Sequence, residues 1–123
     1  MDIEQIISRT YPLPPASKER LKALMEEIEL PKGHCVLRMG KVEKDIFFIK
    51  RGIARAYTSA DGEDTTFWIG EEGDTLVSMN GYVNNRPGYK TVELMEPSVL
   101  YVLKHSDLQR LFLDDINIAN WGR

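Results

Sequence analysis

The chain has 123 residues, of which 42% are hydrophobic and 28% are charged, a balance typical of one globular domain. Its net charge of −3 and its pI of about 5.4 argue against direct DNA or RNA binding, because nucleic-acid-binding domains usually carry a basic patch. No apolar run approaches the roughly 20 residues that a membrane-spanning helix needs, so we expect no membrane partner.

Two short helices are predicted at the N-terminus. The first follows from three isoleucines at the i, i+3, i+4 spacing of one helix face: Ile3, Ile6 and Ile7. The segment TYPLPP then ends this helix, because proline lacks a backbone N–H and constrains the residue before it. The second helix follows from four apolar residues at the same spacing: Leu21, Leu24, Met25 and Ile28. Ser17 is its predicted N-cap.

From Leu30 onward the pattern changes to short segments rich in β-branched and aromatic residues. These segments are HCVLRMG, DIFFIKRG, IARAYTS, DTTFWIG, TVELM and SVLYVL, and turn residues separate them. Strands at this spacing predict an all-β sandwich or barrel. Asp61-Gly62 lies between two of the segments and predicts a hairpin, because glycine adopts a positive φ at no steric cost.

A helix is predicted after the last strand, in HSDLQRLFLDD, beginning near Asp107. Ser106 and Gln109 have the spacing of a capping box. Apolar residues follow at helical spacing: Leu108, Leu111 and Phe112. The last eight residues, INIANWGR, could continue as a helix, but they bury too little apolar surface to hold one alone.

Side chains that carry enzymatic chemistry are sparse. There are two histidines, His34 and His105, and each lies beside a predicted strand end, where a structural or solvent-facing role is ordinary. Cys35 directly follows His34, and neighbours in a strand point to opposite faces, so we expect Cys35 to pack in the core. The sequence contains no Gly-x-Ser-x-Gly, Gly-x-Gly-x-x-Gly or Walker motif. We therefore predict no enzymatic activity, no cofactor and no metal site.

Nothing in the first residues predicts export. The segment MDIEQIISR carries acidic groups early and contains no apolar core of a secretory signal. Cys35 is the single cysteine and cannot form an internal disulfide, which fits a reducing compartment. The predicted location is therefore the cytoplasm.

The glycines indicate a family. The segment LPKGHCVLRMGKVEKDIFFIKRGIARAYTSADGEDTTFWIGEEGD resembles the cyclic nucleotide-binding domain of the Crp/Fnr family of bacterial transcription regulators. The shared features, in chain order, are Gly33, Gly40, Phe48-Ile49, Gly52, Asp61-Gly62 and Gly73-Asp74. The resemblance implies a mainly β fold, an antiparallel, jelly-roll-like double-stranded β-roll flanked by short N- and C-terminal helices. We expect N-terminal helices in 1–29, the β-roll in 30–104, and a C-terminal helix with the start of a dimerisation helix in 105–123.

In that family, Gly-Asp precedes a phosphate-binding cassette with the usual form Phe-Gly-Glu-Leu, a short helix, and Arg-Ser or Arg-Ala. Backbone N–H groups and the arginine neutralise the cyclic phosphate, and the glutamate accepts from the ribose 2′-OH. Counted from Gly73-Asp74 without gaps, Val77 takes the glycine position, Ser78 the glutamate position and Gly88-Tyr89 the Arg-Ser position. All three signature side chains are missing, which predicts weak or no binding of cyclic AMP.

The cassette segment, residues 73–90, still keeps the length and polarity of the family's cassette. If it encloses a ligand site, the expected lining is Ser78, Met79, Asn80, Arg86, Gly88 and Tyr89. Arg86 and Lys90 flank the vacant arginine position, and Arg86 is the substitute cation that we single out. In the alternative, Tyr89 and Met79 fold inward and close the site.

The resemblance implies the effector-sensing, dimerising domain of a transcription regulator, with an effector that is either not cyclic AMP or absent. In the family a long dimerisation helix and a helix-turn-helix domain follow; neither is in this sequence, so DNA contact would come through a segment outside it. The chain is then a domain of a longer regulator or a lone sensor-like protein. Two other classes stay open. One is a stand-alone regulatory or interaction module, and the other is a small cupin-like enzyme, which the histidine count disfavours.

Overall fold

The computed structural model describes residues 1–10 and 12–121. The helices are α1 (Ile3–Thr10), α2 (Pro15–Leu24), α3 (Met79–Asn84), α4 (His105–Asp114) and α5 (Ile116–Trp121). The strands are β1 (Glu26–Leu30), β2 (Cys35–Leu37), β3 (Ile46–Arg51), β4 (Ala54–Ala60), β5 (Glu63–Gly70), β6 (Thr75–Leu76), β7 (Thr91–Leu94) and β8 (Ser98–Leu103). Tyr11, in the predicted proline break, and the last two residues of the predicted C-terminal segment lie outside the described residues.

The strands form two four-stranded sheets in which every pairing is antiparallel. One sheet has the order β1-β8-β3-β6 and the other β2-β7-β4-β5. The apolar residues that alternate along these strands face each other between the sheets and form one core cluster, which includes Ile49, Ala56, Leu76, Val92 and Leu100. The predicted antiparallel β-roll with flanking helices is confirmed.

The first strand begins earlier than predicted. The helix α2 ends at Leu24, and β1 runs from Glu26 to Leu30, so the expected boundary at residue 30 is wrong. Ile28 fits both the helical and the strand periodicity, because it lies four residues after Leu24 and two before Leu30. The pairing decides between them: β1 lies against β8 with Ile28 opposite Leu100, and a helix could not satisfy that ladder.

Both predicted helix caps are wrong. Pro14 occupies the N-cap position of α2, whereas Ser17 is buried inside the helix and donates its hydroxyl to the carboxylate of Asp115 at 2.7 Å. The helix α4 begins at His105, two residues before the expected start, and the N–H of His105 donates to Oδ1 of Asp45 at 3.0 Å. In both cases the local sequence pattern predicted a hydrogen bond to a neighbouring residue, whereas the actual partner is distant in the chain.

The helix α5 is held by the N-terminal helices. Trp121 is buried, its indole N–H donates to the carbonyl of Ile7 at 2.9 Å, and its ring lies 6.0 Å from that of Phe48. Ile118 is buried in the same cluster. Six residues therefore hold a helix here because packing on α1, rather than helix propensity, stabilises it.

The predicted hairpin at Asp61-Gly62 is confirmed. Both residues have a positive φ, 55° and 81°, as a two-residue turn that matches the strand twist requires. The β4–β5 register shifts between Ala56 and Tyr57, so Phe67 is an extra, bulged residue in β5. Cys35 departs from expectation: it is half-buried, while the next two residues of β2 are buried.

Candidate functional site

Ser78 organises the start of the cassette segment. Its side chain is buried, and its hydroxyl accepts the N–H of Gly81 at 3.3 Å, which makes Ser78 the N-cap of α3. Its carbonyl accepts the N–H of Tyr82 at 2.8 Å. The hydroxyl at the family's glutamate position is thus committed to the protein's own backbone.

The helix α3 packs tightly against the loop between β2 and β3. A Cβ placed on Gly81 would overlap the backbone carbonyl of Glu43, so no larger residue fits there without a backbone shift. At its other end α3 stops at Asn85, which has the left-handed conformation typical of a helix C-cap (φ 54°). The short helix expected after the Gly-Asp pair is therefore present, and it is fixed at both ends.

Gly88, at the family's arginine position, is buried and paired through its backbone. Its N–H donates to the carbonyl of Lys41 at 3.0 Å, and its carbonyl accepts the N–H of Gly40 at 2.9 Å. A Cβ on Gly88 would lie 2.8 Å from Oγ of Ser78. The two departures from the family pattern are thus in contact, and an arginine at 88 would first displace Ser78.

The remaining polar residues of the expected lining bond to each other and not to one central point. The Asn80 side-chain amide donates to the carbonyl of Pro87 at 3.4 Å, and the Asn80 carbonyl accepts the N–H of Arg86 at 3.0 Å. The side chain of Arg86 is exposed, and it makes no ion pair with another described residue.

Met79 and Tyr89 do not fold inward. Their side chains are 57% and 59% exposed, so neither fills the space that the missing family groups leave. The Tyr89 ring stacks on that of Phe67 in β5, with 6.1 Å between ring centroids and 19° between planes. The site is therefore bordered by a surface aromatic pair and is not closed by a packed core.

Trp68 is a third aromatic residue at this site, and it was not predicted from the sequence. Trp68 pairs with Ala56 of β4, which faces the core. Two residues further along β5, Gly70 pairs with Ala54 on the same face. A Cβ on Gly70 would lie 2.5 Å from Cη2 of Trp68, which shows that the indole ring lies over this glycine. Trp68 thus covers the inner face of the sheet and remains 38% exposed.

Lys90 is the cation that shares this inner face. Lys90 directly precedes β7, whose Val92 and Leu94 are buried in the core; side chains alternate along a strand, so the same alternation carried back to residue 90 would turn it to their side. Glu93 points the other way and bonds to Arg55 at 2.8 Å. Burial lowers the pKa of the Lys90 ammonium below its ordinary value. The buried pattern from Val92 backwards is the sequence signal that favours Lys90 over Arg86.

A second concave region lies between α3 and the C-terminal helices. It is a cleft of about 520 Å³ whose lining includes Lys44, Tyr82, His105 and Phe112. The Tyr82 and His105 rings meet edge to face at 5.5 Å, and burial raises the pKa of the Tyr82 hydroxyl. This cleft connects the cassette helix with the helices that follow the roll.

Within residues 1–10 and 12–121, no group of three or more histidine, cysteine, aspartate or glutamate side chains converges as a metal site would need. None of the helices there has the length and apolar character to cross a bilayer. The described site is therefore built from aromatic rings, backbone groups and a lysine.

Comparison with known proteins bears on this geometry. Residues 27–115, well over half of the chain, match the family described as the cyclic nucleotide-binding domain. No curated protein sequence matches the chain. The solved structures with this fold include regulators of the Crp/Fnr type, so the resemblance seen in the sequence is confirmed.

Three solved structures illustrate the shared fold. A cyclic nucleotide-binding domain from Methylobacillus flagellatus KT has a TM-score of 0.83 at 17% identity, over 97% of this chain and 68% of its own. The sensor domain of the transcriptional regulator DNR from Pseudomonas aeruginosa has 0.76 at 19%, over 98% and 86%. The regulatory domain of Toxoplasma gondii PKA, crystallised with cAMP, has 0.79 at 18%, over 88% and 42%. This chain therefore spans about two fifths of the PKA chain, and at such identities the likeness concerns the fold.

Proposed function

The chain belongs to the family of cyclic nucleotide-binding domains, and from this premise we propose that it is the effector-sensing domain of a Crp/Fnr-like transcription regulator that does not respond to cyclic AMP. Support for sensing comes from the cassette segment, which keeps its capped helix and its backbone pairing to the β2–β3 loop. Support for a different effector comes from the side chains that this segment lacks.

One observation carries the second half of this proposal. Gly88 has no cationic side chain at the family's arginine position. At the glutamate position, the Ser78 hydroxyl already accepts a hydrogen bond as the N-cap of α3. A cyclic phosphate held here would lose a charge-assisted hydrogen bond, and the ribose would lose its acceptor. At about 1.5–3 kcal/mol for the first and about 1 kcal/mol for the second, affinity falls by roughly two to three orders of magnitude.

We place the effector beside the cassette segment, with a border formed by the six residues expected from the sequence: Ser78, Met79, Asn80, Arg86, Gly88 and Tyr89. The proposal also includes a homodimer, a cytoplasmic location and DNA contact through a helix-turn-helix segment outside these residues. The net charge of −3 supports a division of labour in which the sensor does not itself hold DNA.

The gene beyond codon 123 tests the regulator proposal. We expect an open reading frame that encodes a helix-turn-helix, and we expect the longer product, in fluorescence anisotropy at about 150 mM salt, to bind its own promoter DNA. The 123-residue chain should show no sequence-specific binding in the same assay. A stop codon directly after 123 would favour the stand-alone module, and specific binding by the short chain would contradict the division of labour.

A further inference from the structure

The inner face of the β2-β7-β4-β5 sheet has a floor of small residues near the cassette segment. Ala54 and Ala56 of β4 lie opposite Gly70 and Trp68 of β5 in the register. On the other side of β4, Val92 of β7 lies opposite Ala56. Ala54 and Ala56 are almost fully buried, so neighbouring side chains cover these small residues, and the larger residues of the site lie at the two strands beside β4.

Lys90 and Trp68 stand on opposite sides of this floor. Trp68 belongs to β5 and Lys90 directly precedes β7, and these two strands flank β4, about 10 Å apart across the sheet. The Lys90 ammonium has no hydrogen bond or ion pair with any described residue; its contact is the Tyr89 ring, 5.8 Å from Nζ to the centroid. A partly buried cation without an acidic partner is uncommon, because burying an unpaired charge is costly.

The aromatic rings supply the other half of the site. The Trp68 indole covers Gly70, and the Phe67–Tyr89 stack lies at the rim, where the bulge in β5 places Phe67. All three rings keep a substantial part of their surface open to solvent. Flat apolar surfaces with a polar tip suit an aromatic ligand, which gains from offset or edge-to-face ring contacts.

We propose that Lys90 is the anion-binding residue of this site and that Trp68 with the Phe67–Tyr89 pair forms its ring-binding wall, so that the effector is a planar aromatic monocarboxylate. This inference rests on the proposed effector-sensing function and names the ligand class for it. A single compact ammonium satisfies one carboxylate, whereas a cyclic phosphate with its ribose needs the groups that Ser78 and Gly88 do not supply.

The two tryptophans of the chain make the test specific. In a ¹⁵N-labelled sample each gives one indole N–H resonance, and Trp121 is an internal control because its N–H is bonded to the Ile7 carbonyl inside the core. Titration with 2-naphthoate should move the Trp68 resonance and leave that of Trp121 in place. We expect a dissociation constant in the millimolar range or tighter for a probe of this size.

The neutral analogue 2-naphthamide isolates the charge. The wild-type chain should bind the carboxylate about tenfold more tightly than the amide, and Lys90→Gln should reduce that ratio to near one. Lys32→Gln removes the same charge from an exposed turn at the far end of β7 and should leave the ratio unchanged. Arg86→Gln tests the competing cation and should weaken carboxylate binding less than Lys90→Gln does.

Each contrary result has a distinct meaning. Equal affinity for carboxylate and amide, or a larger loss in Arg86→Gln than in Lys90→Gln, would overturn the assignment of Lys90. No movement of the Trp68 resonance up to about 10 mM 2-naphthoate, well above the affinity expected for this probe, would overturn the ligand class. If cyclic AMP instead moves that resonance, the site binds nucleotides: effector sensing survives, while this inference and the proposed lack of response to cyclic AMP both fail.

Discussion

Trp121 and Trp68 are the same residue type in opposite situations. Trp121 is 3% exposed, donates its N–H to a carbonyl and packs on Phe48, between the N- and C-terminal helices. Trp68 is 38% exposed and lies over Gly70 on the inner face of a sheet, and its N–H bonds to no described residue. The first ring completes a core, and the second remains partly open to solvent.

The same contrast extends to the regions around them. The helical cluster around Trp121 contains Ile6, Ile7, Leu21 and Leu108, all almost fully buried. The site around Trp68 has a fixed backbone, through Gly81 and Gly88, but exposed rings and a lysine without an acidic partner. Buried packing therefore stabilises the helical cluster, as it does the core between the sheets, while the site keeps apolar surface exposed to solvent.

The largest predicted effect falls on the core tryptophan. Trp121→Ala should lower the free energy of unfolding by about 3–5 kcal/mol, because it leaves a cavity and removes the hydrogen bond to Ile7. Urea denaturation measures this change. Trp68→Ala is the matched control and should cost less, about 1–3 kcal/mol, since the ring is partly solvated. Equal losses in the two variants would abolish the contrast.

The site should nevertheless be intolerant at its backbone. Gly81→Ala places a Cβ against the Glu43 carbonyl, so it should cost about 1–3 kcal/mol even though alanine favours helices. Val83→Ala, in the same helix but 62% exposed, is the control and should change stability by less than about 0.5 kcal/mol. A neutral or stabilising Gly81→Ala would show that α3 is not held against the loop.

Asp115 makes the stability of the helical cluster dependent on pH. The Ser17 hydroxyl, and then the N–H groups of Ile118 and Asn117, hold the pKa of this carboxyl below its ordinary value. A carboxyl with a depressed folded-state pKa contributes stability above its unfolded value, and that contribution is lost as the pH falls through the folded pKa.

Asp115→Ala should therefore lower the free energy of unfolding by about 1–2 kcal/mol at pH 7, as for a lost N-cap. The difference from wild type should shrink as the pH falls below about 4. Asp114→Ala changes the exposed neighbouring carboxyl and should have little effect at either pH. A difference that stays constant between pH 7 and pH 3 would show that the charge on Asp115 does not matter.

The smallest effect is expected at the rim. Tyr89→Ala should lower the free energy of unfolding by less than about 1 kcal/mol, because the ring is mostly solvated and its removal leaves no enclosed cavity. Tyr101→Ala, at a buried position of β8, should cost about 3 kcal/mol or more. A midpoint for Tyr89→Ala as low as that for Tyr101→Ala would restore the closed-site alternative.

Local patterns predicted the parts of the fold that local physics decides. The isoleucine spacing gave α1, and Asp61-Gly62 gave the hairpin, because each depends on neighbours in the chain. Ser17 and the start of α4 were predicted wrongly because their hydrogen-bond partners lie 98 and 60 residues away. No single-sequence signal shows which distant group will reach a helix end.

The candidate site was likewise predicted only in part from the sequence. The gapless count from Gly73-Asp74 assigned Ser78 and Gly88 to the family's glutamate and arginine positions, and the structure shows that Ser78 caps α3 and that Gly88 lies against it. The side-chain directions were harder, because Arg86 and Lys90 are equally near the vacant position in sequence. The half-buried setting of Lys90 next to β7, and the bulge in β5 that sets Phe67 beside Tyr89, follow from strand pairing that the local sequence does not encode.

Calorimetric titration with cyclic AMP is the most direct test of whether the cassette segment keeps the family's backbone but lacks the arginine and glutamate side chains that bind the nucleotide. We predict no saturable heat below about 100 μM, since the phosphate meets no arginine and the ribose no glutamate. A dissociation constant in the micromolar range or tighter would contradict the account, because groups other than those at Ser78 and Gly88 would then be reading the nucleotide.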